Sequence, residues 1–277
     1  MQKMLYVTDA LQFNRQCFDF ACALSNITGA MLTGIFLENP QLEQRAWETI
    51  QETAFSVSVA DTVAREIRKG YCEENIRYFK ETCNLKGITC SVHRHGGAPI
   101  QEAIKESRYA DVIVVDPAIS FSEVRETAPS AFLKELLKQA ECPVIIAPEA
   151  FDDIQEIIFT CDNTRSAVYA IKQFTYIFPQ LHYRKATLLH VAEPGKTLGE
   201  SKYRLKEWLK AHYDNVEILV LEDANVKARL LEHLLARRNA FVVMGAYGRS
   251  TLSNLLWPSH AAPVVKLVTL PVFIAHP

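Results

Sequence analysis

The sequence predicts an α/β protein made of two tandem, doubly wound parallel sheets of five strands each, related by a pseudo-twofold axis. Three observations carry this. Short apolar runs without polar alternation punctuate the chain, as strands buried on both faces require. Amphipathic segments separate them, which makes each unit β-α-β. The order of these elements over residues 1–150 is then repeated over 151–277, which sets the two domains, with a linker near 148–153.

The elements follow in order. Leu5-Tyr-Val-Thr-Asp9 is matched by Ile158-Phe-Thr-Cys-Asp162, an apolar strand closed by an aspartate in each copy. Helices follow at 16–28 and 166–178. Second strands run over 30–37 and 186–192, and both lead into an acid and a proline, Glu38-Asn-Pro40 and Glu193-Pro194. The second helical region is long in the first copy, 41–85, and short in the second, 199–212. In the long segment Trp47, Ile50, Phe55, Val57, Val63, Ile67, Ile76 and Phe79 form an apolar set expected to cover the sheet, with a lid or docking surface as the alternative. Third strands are 88–93 and 216–221, third helices 100–107 and 227–237. Val112-Ile-Val-Val115 matches Phe241-Val-Val-Met244 as the fourth strand. Final helices at 132–139 and 262–268 precede final strands at 143–147 and 271–275. Those last strands are apolar edges, and pairing them with each other would cover both.

The chain has 277 residues, 49% of them hydrophobic, with a net charge of -2. The balance suits a globular protein with sizeable cores and advertises no nucleic-acid partner. Residues 1–150 hold 15 Lys+Arg against 20 Asp+Glu, and residues 151–277 hold 15 against 12, a mild preference for an anionic ligand in the second copy. The seven cysteines contain no C-x-x-C pair and are expected as reduced, mostly buried thiols. No apolar stretch reaches membrane-spanning length and the N-terminus enters a strand directly, so the expectation is a cytoplasmic protein without a membrane partner.

The chemistry concentrates after the fourth strand of the second copy, where Gly245-Ala-Tyr-Gly248 lets backbone N–H groups approach a ligand. Ser259, eleven residues on at the expected start of a helix, adds a second anion-friendly turn. In open α/β sheets ligands bind beyond the carboxyl ends of the strands, the edge on which Asp162 also falls.

Two tandem copies of this pattern resemble the universal stress protein family over nearly the whole chain. Its nucleotide-binding members share G-x2-G-x9-G-[ST], and here Gly245-x2-Gly248 is followed by nine residues and Pro258-Ser259. The run Arg249-Ser-Thr-Leu-Ser-Asn-Leu-Leu256 is similar to the family's Arg-Ser-x-Leu-x-x-Leu-Leu. The resemblance implies the adenine nucleotide alpha hydrolase-like fold and a stress-response module that binds ATP or AMP, with or without Mg²⁺, and is regulatory rather than an enzyme. It implies a site of Asp162 on the ribose or base edge, Gly245, Gly248 and Ser259 on phosphates, and Thr160, Val191, Met244, Arg249 and His260 around them. An intramolecular pseudo-dimer, with or without further homodimerisation, and an unidentified protein partner complete that expectation. The alternatives are a scaffold in which both sites have decayed, and a slow ATPase.

Two departures bear on the site. Pro258 replaces the third glycine and lacks an N–H. Such a lost bond to a charged group costs roughly 1.5–3 kcal/mol, on the order of ten- to a hundredfold in affinity. In the first copy the fourth strand runs into Asp116-Pro-Ala-Ile119, with Glu123 and Glu126 nearby. Carboxylates there repel a phosphate, so the first copy is read as degenerate.

Other motifs weigh less. Gly195-Lys-Thr197 resembles the end of a phosphate loop, but His190 stands where that motif needs its first glycine. His93 and His95 alternate on one strand face, and with no third ligand at a suitable spacing they are expected as a hydrogen-bonded or solvated pair rather than a metal site. His190 is expected as a packed core residue, with a place lining the adenosine pocket as the alternative that the resemblance implies. No Ser-His-Asp order or paired carboxylates suggest a catalytic residue.

Overall fold

The computed structural model describes residues 1–39, 57–122, 126, 128–195, 201–245 and 269–277, and for 57–65 and 201–202 it describes the backbone alone. These residues group into two compact units, Gln2–Glu141 and Cys142–Pro277, with Met1 counted in the second.

In the first unit, β1 (Lys3–Asp9), β2 (Met31–Leu37), β3 (Cys90–His95) and β4 (Val112–Val115) form a parallel sheet in the order β3-β2-β1-β4. Helix α1 (Arg15–Thr28) starts where the Asn14 side chain accepts from Cys17 N–H and stops at Gly29, whose φ of 69° is a left-handed cap. Helix α2 covers Val57–Leu85, α3 Pro99–Ser107 and α4 Ala131–Gln139, the last capped by Ser130. The core between β1, β2, α1 and α2 is aromatic: Tyr6 contacts Phe13, Phe18 and Phe79 at ring-centroid distances of 5.6, 5.5 and 6.3 Å. Gly34 in β2 makes room for that cluster, since a Cβ there would lie 2.9 Å from Phe36 and 3.0 Å from Phe79.

The second unit holds β5 (Val144–Ile146), β6 (Glu156–Thr160), β7 (Lys185–Ala192), β8 (Asn215–Glu222), β9 (Ala240–Gly245) and β10 (Val272–Ala275). The order is β5-β10-β9-β6-β7-β8. All neighbours from β10 to β8 are parallel. Strand β5, which the repeat counts with the first copy, pairs antiparallel with β10 through Val272–Ile146, Phe273–Ile145 and Ile274–Val144, so the two final strands do cover each other's edges. Helices α5 (Arg165–Ile177), α6 (Ser201–Lys210) and α7 (Val226–Leu235) flank the sheet. Phe159, Phe174, Phe178, Phe241 and Phe273 are fully buried and pack together, with Phe174 5.0 Å from Phe241 and 5.2 Å from Phe273.

The elements lie within a few residues of their expected positions. Strand β3 runs later than 88–93, because pairing with β2 continues as far as Leu37–His95. The expected final helix at 262–268 lies outside the described residues. In the long segment Phe79 is buried as expected, whereas Ile67 is 52% exposed. Trp47, Ile50 and Phe55 lie outside the described residues. None of the seven cysteines is in a disulfide; five are buried and Cys90 and Cys142 half-buried. Among the described residues no helix is long and apolar enough to cross a membrane.

Candidate functional site

Strand β6 lies between β7 and β9, so the chain leaves its first strand in one direction for the second and in the other for the fourth. The carboxyl end of such a switch point is where open α/β sheets bind ligands. Three neighbouring strand ends therefore frame the candidate site: Thr160 ending β6 with Asp162 just beyond it, Val191 in β7, and Met244-Gly245 in β9.

The loop after β6 is held by its own polar groups. Asp162 Oδ1 accepts from the Thr164 N–H at 3.0 Å and the Thr164 hydroxyl at 2.7 Å. Thr164 in turn caps α5, its Oγ1 accepting from Ala167 N–H at 3.2 Å. Asn163, with φ of 65°, takes the left-handed turn that asparagine tolerates better than most residues. This aims the amino-terminal turn of α5 at the end of β9.

Gly245 shows how close that approach is. A Cβ on it would lie 2.5 Å from the Ala167 nitrogen, 2.6 Å from the Ser166 carbonyl carbon and 2.8 Å from Ala167 Cα. These are backbone atoms of the first helical turn, so no side chain can rotate away. The glycine is thus demanded by helix–strand packing, a cause that the sequence reading did not weigh beside approach to a ligand.

The other candidates divide by exposure. Asp162 and Val191 are half-buried. Met244 is 1% exposed, and the buried Thr160 hydroxyl donates to Val243 O at 3.0 Å, so both are committed to the sheet. His190 is buried beside them and its Nδ1 donates to Cys161 O at 2.6 Å, which fixes the loop that carries Asp162. Gly248, Arg249, Ser259 and His260 lie outside the described residues. A cavity lined by Asp152, Asp153, Arg237, Arg238 and Asn239 lies at the amino-terminal ends of β6 and β9, away from this chemistry.

The corresponding edge of the first copy is filled by the protein's own carboxylates. Asp116, following β4 as Gly245 ends β9, accepts from Asn14 Nδ2 at 2.5 Å and from Ala118 N–H at 2.8 Å. Asn14 is the cap of α1, so the helix start that meets Gly245 in the second copy meets a carboxylate here. Glu126 accepts from the Ala131 N–H at 2.5 Å, at the amino-terminus of α4, and lies 3.0 Å from the Ser120 hydroxyl. Asp9, the counterpart of Asp162, accepts from Leu11 N–H at 2.7 Å and Gln12 N–H at 3.1 Å. Burial raises its pKa above the ordinary carboxylate value, and those two N–H groups offset only part of the shift. Sequence reasoning flagged Asp116 and Glu126 as charges but not Asn14, because a contact across 102 residues leaves no local signal.

His93 and His95 are hydrogen-bonded. His93 Nδ1 lies 2.8 Å and His95 Nε2 3.0 Å from the same oxygen, Glu106 Oε1. Burial pushes the Glu106 pKa up, but the hydrogen bonds and charge of the two histidines outweigh it and the net shift is downward.

No protein-family profile matches the chain. No curated protein matches it. Among solved structures, a universal stress protein from Archaeoglobus fulgidus DSM 4304 superposes with a TM-score of 0.64 at 18% identity, over 99% of this chain and 98% of that one. A protein of unknown function from Pseudomonas aeruginosa PAO1 superposes with a TM-score of 0.53 at 14% identity, over 100% of this chain and 93% of that one. The likeness is one of fold: the chain has the α/β fold of a full-length universal stress protein.

Proposed function

We propose that this chain is a tandem universal stress protein that binds an adenine nucleotide, ATP or AMP, in its second copy (151–277), while the first copy (1–150) is degenerate. The observation that carries this is the contrast at the two fourth-strand ends. Gly245 ends β9 without a side chain against the α5 amino-terminus, the turn that Asp162 helps set, whereas Asp116 puts a carboxylate on the equivalent helix start. A phosphate seeks N–H donors and positive dipole ends and is repelled by a fixed carboxylate. Asp162 would meet the ribose or base edge, and Gly248, Arg249, Ser259 and His260 would supply the phosphate side, with Mg²⁺ as an accompanying ion. The role is regulatory: nucleotide occupancy alters docking of a protein partner.

The test is calorimetric titration of the full chain with ATP, AMP and inorganic phosphate, with and without Mg²⁺. One saturable site per chain, lost in Gly248→Asp and weakened in Asp162→Ala, is the expected result. Gly245 is unsuited to this test because any Cβ strains the fold. No saturable heat for any adenine nucleotide would overturn the proposal. It would favour a ligand-free scaffold, the reading that Pro258 and the self-filled first copy also favour.

A further inference from the structure

We propose that His93, His95 and Glu106 form a binding site for a divalent first-row transition cation, zinc by preference, with Glu102 as the group that orients His95. This stands apart from the nucleotide reading, since all four residues belong to β3 and α3 of the first unit.

The site is built by local chain geometry. Residues two apart on a strand share a face, so His93 and His95 project together while Arg94 pairs with Glu38 at 2.5 Å. Residues four apart on a helix share a face, so Glu102 and Glu106 both turn toward those rings. The short connection Gly96-Gly97-Ala98 brings the two faces together, with Pro99 starting α3. Glu102 folds back over Gly97, where a Cβ would lie 3.0 Å from its Oε1. The spacing is His93-x-His95-x6-Glu102-x3-Glu106.

The geometry suits a metal in two respects. One ligand atom from each of His93, His95 and Glu106 lies within 4.8 Å of the others, and both imidazoles already converge on Glu106 Oε1. Ligands around a tetrahedral zinc, with bonds of about 2.0–2.2 Å, lie roughly 3.4 Å apart, so small side-chain rotations bring the three atoms onto one ion. Second, while His95 Nε2 faces Glu106, its Nδ1 lies 3.3 Å from Glu102 Oε2. A ligating histidine characteristically gives its other N–H to a carboxylate, which sets its tautomer and raises its basicity. Lys105 holds that carboxylate, 2.8 Å from Glu102 Oε1.

The ligand set names the class of ion. Two imidazole nitrogens and one carboxylate suit zinc and its neighbours, whereas magnesium and calcium prefer all-oxygen shells. The side chains are 40%, 26% and 15% exposed for His93, His95 and Glu106, so water can complete the coordination sphere. Binding would pin the edge strand β3 to α3.

The test is zinc titration of the metal-stripped full chain, with thermal unfolding, repeated with magnesium and on His95→Ala, Glu106→Gln and Glu102→Gln. Cobalt absorption reports the ligand type and separates this site from the cysteines by the absence of thiolate charge-transfer bands. The expected result is one zinc per chain with a raised unfolding midpoint and no comparable response to magnesium. Loss of Glu102 should weaken binding by roughly 10–100-fold, and loss of His95 or Glu106 by at least as much. No stoichiometric zinc, an equal response to magnesium, thiolate bands, or unchanged affinity in His95→Ala and Glu106→Gln would each overturn it. Should a variant fold poorly, zinc protection of His93 and His95 from carbethoxylation in the unaltered chain decides the matter, and no protection refutes the site.

Discussion

At the end of β9 the chain has no side chain, and at the end of β4 it has a carboxylate; the start of α5 faces the first and the start of α1 the second. In the second copy the first turn of α5 comes so close that only Gly245 fits. In the first copy Asp116 fills the gap, bound to the α1 cap Asn14 and to Ala118 N–H. Two copies of one fold thus solve the same problem, an electropositive helix start at a strand end, in two ways. One closes the helix turn directly onto a glycine backbone, and the other sets a carboxylate at the helix cap.

The largest expected effect breaks the glycine side of this contrast. Gly245→Ala places a methyl 2.5 Å from the Ala167 nitrogen. Backbone must shift to relieve it, so destabilisation at or above the about 1–3 kcal/mol of an overpacked core is expected in urea denaturation. A neutral result would mean that the helix start is not seated on β9.

Next comes the carboxylate side. Asp116→Ala strands the Asn14 amide and the Ala118 N–H and should cost about 1–3 kcal/mol, nearer the lower figure because the site is only part-buried. A cycle with Asn14→Asp would sharpen it: the two carboxylates repel in the single variant, and Asp116→Asn should rescue it. Additive effects would show that the pair does not interact.

A smaller effect is expected at α4. Glu126→Gln keeps an acceptor for Ala131 N–H but removes the charge at the helix start, for a loss of about 0.3–1 kcal/mol that shrinks with added salt. A salt-independent change would point to hydrogen bonding rather than charge.

The smallest concerns Asp9, whose pKa burial raises above 3.8. A raised carboxyl pKa means that the folded state binds its proton more tightly. That stabilisation is fully present below the unfolded value and is lost as pH rises through the folded one. Asp9→Asn keeps the acceptor for Leu11 and Gln12 without the charge, so it should raise the unfolding midpoint slightly at neutral pH, and the gain should vanish as pH falls toward 3.8. A gain that persists in acid would trace to something other than the buried charge.

Much of this was legible in the residues. Unbroken apolar runs such as Val112–Val115 marked strands to within a few residues, because burial on both faces leaves no room for polar alternation. Caps at Asn14, Ser130 and Thr164 are local hydrogen bonds, and they sit where the helix patterns begin. The site was less legible. The glycine that ends β9 was visible, but not the helix turn that requires it. The His93–His95 alternation was visible, but its third group, Glu106, comes from a helix whose facing depends on how it docks.

Sequence alone thus determined the repeat, the strand and helix content, and which copy keeps glycine at its fourth-strand end, all of them properties of local pattern. Tertiary structure alone decided that Gly245 is held bare by Ala167, that Asp116 answers Asn14 across 102 residues, and that two histidines share one carboxylate oxygen. Those contacts arise when separate elements pack to within hydrogen-bond and van der Waals distance, and no local periodicity encodes which pair will meet.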